Sequence, residues 1–236
     1  MRIGVDTSCG HWNAPMDLET REFVYVPIPE VERCNSGLER KYAEVVPFIA
    51  HFSEKHGTLV KLPHFLAKKN MHLDPDFYYL TYGDVGSSRG MGLTKLEQSD
   101  IIAFYNSMVP MKQNPRMLIY ALIGFYIVNE VVRASEIPKN RWMENAHTRR
   151  EEISDVDFVV RAKAGSGRLK RCIPIGEWRN KAYRVRTDIL EKWGGLSVED
   201  GYIQRSAVPP FFLHPERFCK WFKENNKGLV QANNHV

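Results

Sequence analysis

The sequence of 236 residues lacks several features that would assign it to a common class of protein. No apolar run reaches the roughly 18 residues that a membrane-spanning helix needs, and the longest, residues 117–132, contains Asn129 and Glu130. The N-terminal residues include no long apolar segment and no A-x-A site, so we expect no secretory signal and a cytoplasmic location. Cysteines occur only at positions 9, 34, 172 and 219, without a C-x-x-C pair, which predicts free thiols in a reducing compartment.

The short motifs of the best-known enzyme families are also missing. The patterns GxxxxGK[ST], GxGxxG and HExxH and the nucleophile elbow are absent, which argues against P-loop, dinucleotide-binding, metalloprotease and α/β-hydrolase assignments. No cofactor motif is visible, and the cysteine spacing suggests no zinc site. Hydrophobic residues make up 43% and charged residues 26% of the chain, as in ordinary globular proteins, which excludes disorder as the main state.

Positive charge is concentrated in one segment. Residues 161–186 contain nine lysines and arginines and one acid, so this segment carries +8, whereas the net charge of the whole chain is +5. Residues 183–187 alternate as a half-buried strand would, and arginines on its open face beside Trp178 and Tyr183 would suit a phosphate backbone and stacked bases. A solvated face is an equally good interpretation. The predicted phosphate-binding residues are Arg168, Lys170, Arg171, Arg184 and Arg186.

The pattern of apolar and turn-forming residues predicts an α+β fold with a mixed, curled or barrel-like central β-sheet and peripheral helices. Strands are predicted at 1–5, 23–26, 101–105, 118–132, 157–162 and 183–187, and helices at 39–56, 187–193 and 213–224. Gly124 in the middle of a long strand indicates a bulge or bend, as at a barrel corner. We interpret residues 1–236 as a single domain, leave open a division into sub-lobes 1–92 and 93–226, and expect a frayed tail at 227–236.

Four groups of polar residues could carry chemistry. Asp6 and Asn13 lie in a polar loop that follows the first predicted strand. The second group, residues 72–84, combines a histidine with carboxylates and could do acid–base work or hold a metal, although we favour a turn and binding surface and assign no metal ligand. The third is Asn145-x-His147 beside two arginines, and the fourth is the glycine turn at 165–168, a weak anion-site signal.

These segments, in this order, resemble the third of the nucleotide-modification-associated domain families, over most of the chain. The resemblance rests on Val5-Asp6-Thr7 through Asn13-Ala14-Pro15 to residues 23–30, on His72-x-Asp74-Pro75-x-Phe77 through Thr81-Tyr82-Gly83-Asp84, on Ser99-Asp100-Ile101-x-x-Phe104-Tyr105 with residues 122–128, and on Asn145-x-His147 followed by Ser166-x-Arg168-Leu169. Ser99 departs from the pattern, where glycine is expected before the aspartate. The two strands of the third segment also look like PUA-like barrels such as EVE, YTH and ASCH domains.

The family resemblance implies association with systems that make or handle modified bases in DNA. The PUA-like similarity implies a pocket for a flipped or modified base, read by aromatic stacking and by hydrogen bonds to the base edge. The residues expected at a nucleotide or base pocket are Asp6, Asn13, Tyr25, Tyr82, Asp84, Tyr105 and Asn145. If the chain is an enzyme, the expected catalytic residues are His72, Asp74 and His147.

Three functional hypotheses follow. We favour a protein that binds or handles modified nucleotides or bases in nucleic acid, with DNA as the expected partner, as part of a base-modification or defence system. The alternative is a hydrolase or transferase that acts on a nucleotide or nucleic-acid base through the histidines and aspartates. A plain interaction domain is the third, and the polar residues at 72–84 argue modestly against it. No membrane association is expected, and no oligomeric state follows from the sequence.

Overall fold

The computed structural model describes residues 1–112, 117–204 and 208–235, without the side chains of residues 88 and 89. The strands are β1 (Pro15–Met16), β2 (Ile28–Pro29), β3 (Met71–His72), β4 (Thr81–Val85), β5 (Ile101–Pro110), β6 (Ile119–Arg133), β7 (Asp157–Ala162), β8 (Gly167–Pro174), β9 (Gly176–Arg179), β10 (Ala182–Val185) and β11 (Leu229–Val230). The α-helices are α1 (Val46–His56), α2 (His64–Ala67), α3 (Thr187–Trp193) and α4 (Pro215–Asn225). The 3-10 helices span Tyr42–Glu44, Ser88–Lys95, Ala134–Glu136, Lys139–Glu144 and Glu199–Gly201. Within these residues, no helix is long and apolar enough to cross a membrane.

Seven strands form one mixed sheet around the long strand β6. The order runs β1-β5-β6-β7-β4, with β8 beside β6 and β11 beside β8. The first half of β6 pairs with β8 and its second half with β7, whereas β5 follows the opposite edge. The pair of β1 and β5 is parallel and the others are antiparallel. The α+β class and the mixed central sheet are therefore confirmed.

The sheet is not closed into a barrel, so the barrel-like alternative of the prediction is wrong. Its two ends, β1 and β4, have no partner strand on their outer sides among the described residues. A barrel requires the last strand to pair with the first. Here β8 pairs with the first half of β6 and β7 pairs with its second half. These two strands therefore follow one another along the same edge of β6, and the ends of the sheet do not meet.

The predicted irregularity at Gly124 is confirmed. The register between β6 and β8 shifts between Leu122 and Gly124, and the register between β5 and β6 shifts opposite, between Phe104 and Tyr105. A β-carbon added at Gly124 would collide with the ring of Phe77. Glycine is therefore required by the close approach of that ring, and the sheet bends where this residue occurs.

Gly124→Ala is expected to lower the free energy of unfolding by about 1–3 kcal/mol, because an added methyl group overpacks a filled core. Urea unfolding followed by circular dichroism measures the change. Gly92→Ala is the matched control, since a β-carbon there meets no atom within 4 Å. If both variants unfold at the same urea concentration as the wild type, the contact with Phe77 does not constrain this position.

The sheet separates two apolar clusters, and alternate residues of β6 contribute to each. The first cluster includes Phe77, Phe104 and Tyr126, whose rings meet edge to face. The second is covered by α3 and α4, which contribute Trp193 and Phe218. Residues from both 1–92 and 93–226 meet in the first cluster, so its packing crosses the division that the sequence left open.

Several local predictions agree with the structure and two do not. Helix α3 spans 187–193 as predicted and ends at Gly194, which has a left-handed φ of 78°. The predicted strands at 1–5 and 23–26 are not regular strands, and the structure has isolated bridges there, Arg2 to Tyr105 and Met16 to Phe23. Gly4 has a φ of 77°, in the left-handed region that favours glycine. This backbone conformation interrupts the regular hydrogen bonding of a β-strand.

The C-terminal segment is not frayed. Strand β11 pairs with β8, and the Asn234 side chain bonds both the amide and the carbonyl of Tyr25, each at 2.8 Å. Asn233 accepts a bond from the Phe77 amide at 2.7 Å. The side chains of this segment thus bond backbone groups of Tyr25 and Phe77, which its polar composition alone does not predict. Val236 lies outside the described residues.

Asn234→Ala is expected to destabilise the fold by about 1–3 kcal/mol, because two backbone groups of the buried Tyr25 lose their partners. Thermal and urea unfolding check this value. The exposed Asn140→Ala serves as the control and is expected to stay within about 0.5 kcal/mol of the wild type. Equal stability of the two variants would contradict the docking of this segment.

Candidate functional site

A polar cavity of about 690 Å³ lies beside β3 and β4. Loop residues 2–9 form one side of it and the segment that follows residue 146 forms another. Both predicted histidines, His72 and His147, line the cavity together with Asp74. Their rings meet edge to face with centroids 5.1 Å apart. The structure thus joins residues that are separated by more than 70 positions in the chain.

Each histidine is held from behind by a carboxylate. His72 Nδ1 lies 2.6 Å from Glu30 Oε2, and Glu30 directly follows β2, which pairs with β3. His147 Nδ1 lies 2.7 Å from Asp157 Oδ2, at the first residue of β7. An ionised carboxylate only accepts hydrogen bonds, so each Nδ1 donates to its carboxylate, and each Nε2 lies on the opposite side of the ring.

Both Nε2 atoms face the same carboxylate oxygen. Asp74 Oδ2 lies 3.8 Å from His72 Nε2 and 3.7 Å from His147 Nε2. The carboxylate itself is fixed by the Gly83 amide, 2.9 Å from Oδ2, and by Asn145 Nδ2, 3.1 Å from Oδ1. The three side chains form the His–Asp cluster, defined here as His72, Asp74 and His147.

Burial and neighbouring charges shift the pKa values around this cluster. Burial raises the pKa of Asp74 well above its usual value, because desolvation outweighs the bonds from Gly83 and Asn145. Burial lowers the pKa of His72, and its bond to Glu30 does not offset this effect. Burial would also raise the pKa of Glu30, but its contact with His72 outweighs that and holds the pKa at about 2. A charged Glu30 therefore persists beside His72 at neutral pH.

Gly83 brings strand β4 close to the cluster. A β-carbon at this position would lie 2.5 Å from His147 Cδ2 and 2.8 Å from Asn145 Oδ1. The Asn145 side chain accepts a bond from the His147 amide at 2.9 Å, which sets the turn that carries this histidine. Only a residue without a side chain lets the β4 backbone reach Asp74 while His147 keeps its position.

Arg150 links the two carboxylates that hold the histidines. Its guanidinium lies 3.2 Å from Glu30 and 3.5 Å from Asp157. From the sequence, Arg150 is identified only as one of two arginines beside His147, and no role is assigned to Glu30 or Asp157. Glu30 is the last residue of one of the segments that carry the family resemblance. By contrast, no sequence pattern around Asp157 indicates that it contacts His147.

The predicted pocket residues divide into two groups. Asp6, Tyr82, Asp84 and Tyr105 line the cavity, and Asn145 lies directly behind Asp74. The remaining two residues lie away from the cavity lining. Asn13 donates to the Ser107 carbonyl at 2.9 Å, and Tyr25 is fully buried with its hydroxyl 3.2 Å from the Pro75 carbonyl.

The predicted phosphate-binding residues differ in their exposure and in their partners. Arg168 is 1% exposed, lies over the Phe23 ring and contacts His235 of the C-terminal segment, because β8 crosses the sheet beneath that segment. Arg184 and Arg186 lie near β10 and approach Asp200 and Asp188, which offset their charge. Lys170 and Arg171 are exposed.

The comparison with protein families adds an independent finding. No significant match is found among curated proteins or among solved structures. The model of nucleotide modification associated domain 3 matches residues 1–201, which include β1 to β10 and every residue of the His–Asp cluster. Because the match covers most of the 236 residues, the chain belongs to the nucleotide modification associated domain 3 family.

Proposed function

We propose that this protein is an enzyme that acts on a nucleotide, in DNA or free, within the cavity beside the His–Asp cluster. Family membership links the chain to nucleotide modification. The observation that carries the proposal is the pair of carboxylate-backed imidazoles whose Nε2 atoms face Asp74 across the same small space. This arrangement places side chains capable of acid–base chemistry at the cavity wall, and not only side chains that would contact a bound base.

The size and access of the cavity suit a nucleotide. Ligand pockets for small molecules commonly have volumes of about 300–1,000 Å³, and this cavity measures about 690 Å³. Two cations are present at its wall, the guanidinium groups of Arg2 and Arg150. A nucleotide offers a phosphate to such cations and a base edge to the carboxylates and tyrosines.

The same cavity is less suited to a protein that only reads a base. Readers of extruded bases stack the base between exposed aromatic faces. Tyr82 and Tyr105 are the aromatic residues among the described lining residues, and they are only 6% and 5% exposed. The Tyr82 hydroxyl bonds Asp84, and the Tyr105 hydroxyl bonds the Ile203 carbonyl, so both rings are already fixed by the fold. The enzyme hypothesis is therefore preferred to the reader.

Hydrolysis is the reaction class that the cavity supports with the fewest additional reactants. Water is the second substrate: its oxygen forms the new bond to a phosphorus atom or base carbon of the nucleotide. The bond to the leaving oxygen or nitrogen breaks, and the proton lost by the water ends on that leaving group. The His–Asp cluster activates the water in this scheme.

The test is incubation of the purified full chain with nucleoside mono-, di- and triphosphates and with single- and double-stranded DNA, unmodified and base-modified. Mass spectrometry of the nucleotides and of digested DNA detects a change in mass. We expect a time-dependent change for one substrate class, absent with Asp74→Asn. Binding without any mass change would contradict the enzyme and establish a reader instead.

A matched control excludes a contaminating activity and a general loss of structure. His56→Gln alters another buried histidine, which lies 3.6 Å from Asp17 and 3.1 Å from Glu22, outside the cavity lining. This variant is expected to keep wild-type turnover. Turnover that survives in Asp74→Asn and disappears in His56→Gln would refute the assignment of the cavity.

A further inference from the structure

We propose that the His–Asp cluster binds one divalent transition-metal ion, with zinc as the best fit, through His72 Nε2, Asp74 Oδ2 and His147 Nε2. The ion would activate water in the proposed reaction, and that catalytic role rests on the proposed function. The binding of the ion can be measured without any substrate.

The first argument is the convergence of three potential ligand atoms. Each Nδ1 contacts a carboxylate, Glu30 or Asp157, so each Nε2 is the ring nitrogen on the opposite side. Both Nε2 atoms face Asp74 Oδ2, at separations of 3.7 and 3.8 Å. These distances are too long for a hydrogen bond. A bound cation would stabilise the deprotonated carboxylate and the neutral imidazoles, which are the forms that bind metals.

The second argument is geometric. The three ligand atoms lie within 4.8 Å of one another. Two atoms that each lie about 2.0–2.1 Å from a tetrahedral zinc ion are about 3.4 Å apart. The separations of 3.8 and 3.7 Å from Asp74 Oδ2 are close to this value, and the third pair of ligand atoms also lies within 4.8 Å. All three residues are buried: His72 lies in β3, the Gly83 amide holds the Asp74 carboxylate, and the Asn145 turn holds the His147 backbone.

The third argument is the outer layer of the site. Histidines that bind metals almost always donate their second ring nitrogen to a carboxylate or carbonyl, which fixes the ring and makes the ligand more basic. Both histidines have this partner here, and Arg150 holds the two carboxylates together. Two independent carboxylate–histidine pairs that aim at one point are typical of a metal centre.

The fourth argument is charge. Among the described residues of the cavity wall, two carboxylates besides Asp74 (Asp6 and Asp84) accompany two guanidiniums. The carboxylates of Glu30 and Asp157 lie immediately behind the histidines. Even without Asp74, carboxylates therefore outnumber guanidiniums by four to two around the cluster, and this excess favours a divalent cation.

The donor set selects the class of ion. Two imidazole nitrogens with one carboxylate oxygen favour zinc over magnesium, which prefers oxygen ligands. Three protein ligands leave a fourth position, toward the cavity, for water. A zinc-bound water has a pKa near 7 in such centres, so it is available as hydroxide for the hydrolysis described above.

The test uses the full chain after treatment with a chelator, titrated with Zn²⁺ and separately with Mg²⁺. Competition with a chromophoric chelator measures affinity, and elemental mass spectrometry measures the number of ions per chain. We expect one tightly bound Zn²⁺ and no comparable binding of Mg²⁺. Co²⁺ in the same position is expected to give the visible absorption of a four-coordinate site.

The positioning residues provide variants that keep the ligands. Glu30→Gln and Asp157→Asn are expected to weaken zinc binding by about 10–100-fold and to shift the Co²⁺ spectrum. His72→Ala and His147→Ala are expected to weaken it further. His56→Gln is the matched control and should bind zinc as the wild type does, and circular dichroism of each variant verifies that it is folded.

The outcomes separate this inference from the proposed function. Stoichiometric zinc without turnover on any nucleotide supports the metal site and contradicts the function. Turnover that is unchanged after complete removal of metal supports the function and overturns the catalytic role of the ion. Wild-type zinc affinity in folded His72→Ala and His147→Ala variants, or no stoichiometric ion in the wild type, overturns the metal site.

Discussion

Replacement of Arg149 by methionine is expected to lower the free energy of unfolding by about 3–5 kcal/mol, because it leaves a buried carboxylate without its partner. Arg149 Nη2 lies 2.6 Å from Asp76 Oδ2, and the two side chains are 2% and 0% exposed. The guanidinium also donates to the Met143 carbonyl through Nη2 at 2.6 Å and through Nε at 3.0 Å. Methionine preserves most of the apolar volume, so the expected loss is mainly electrostatic.

Urea unfolding of Arg149→Met measures this loss. The matched control is Arg186→Met, whose partner Asp188 lies at 3.0 Å but on the exposed surface, with both side chains about half exposed. A surface pair of this kind contributes about 0–1 kcal/mol. If the two variants lose the same stability, burial does not amplify the Arg149–Asp76 interaction, and the expectation is refuted.

The position of this pair explains why it matters to the site. Asp76 and Arg149 each lie two residues from a member of the His–Asp cluster, Asp74 and His147 respectively. Asp76 also accepts bonds from the Tyr78 amide and from Asn233 Nδ2. The ion pair therefore joins the segments that carry the cluster to the C-terminal segment, and its loss is expected to disturb the cluster even in molecules that stay folded.

The second large effect concerns turnover. On the substrate identified by the mass screen, His72→Ala and His147→Ala are each expected to reduce kcat/KM by about 10²–10⁴-fold. Both imidazoles face the same oxygen of Asp74, so we expect them to act as one unit in the proposed reaction. Removal of both histidines is therefore expected to cost little more than removal of one, because residues that act as a unit are strongly non-additive.

Steady-state kinetics of the two single variants and the double variant check this expectation, with His56→Gln as the control. Losses that multiply in the double variant would indicate that the histidines work independently. Full activity in either single variant would remove that histidine from the reaction. Unfolding curves of all variants exclude a trivial loss of structure.

The sequence by itself determined those features of the fold whose signals are local. The apolar run that forms β6, the glycine that bends it and the α3 boundary at Gly194 are all visible within about ten residues. The motifs also identified the family, and they included all three members of the His–Asp cluster among the catalytic residues expected of an enzyme. Residue type and spacing are sufficient for such features, because they depend on neighbours along the chain.

Only the tertiary structure decided which carboxylates contact the histidines and which basic side chains remain at the surface. Glu30 reaches His72 through the pairing of β2 with β3, and Asp157 reaches His147 because β7 begins beside the turn at residue 145. Arg168 is buried because the C-terminal segment crosses it, and the sheet stays open because β6 exchanges partners. Each of these contacts joins residues by strand pairing or packing rather than by sequence spacing, so no local pattern encodes them.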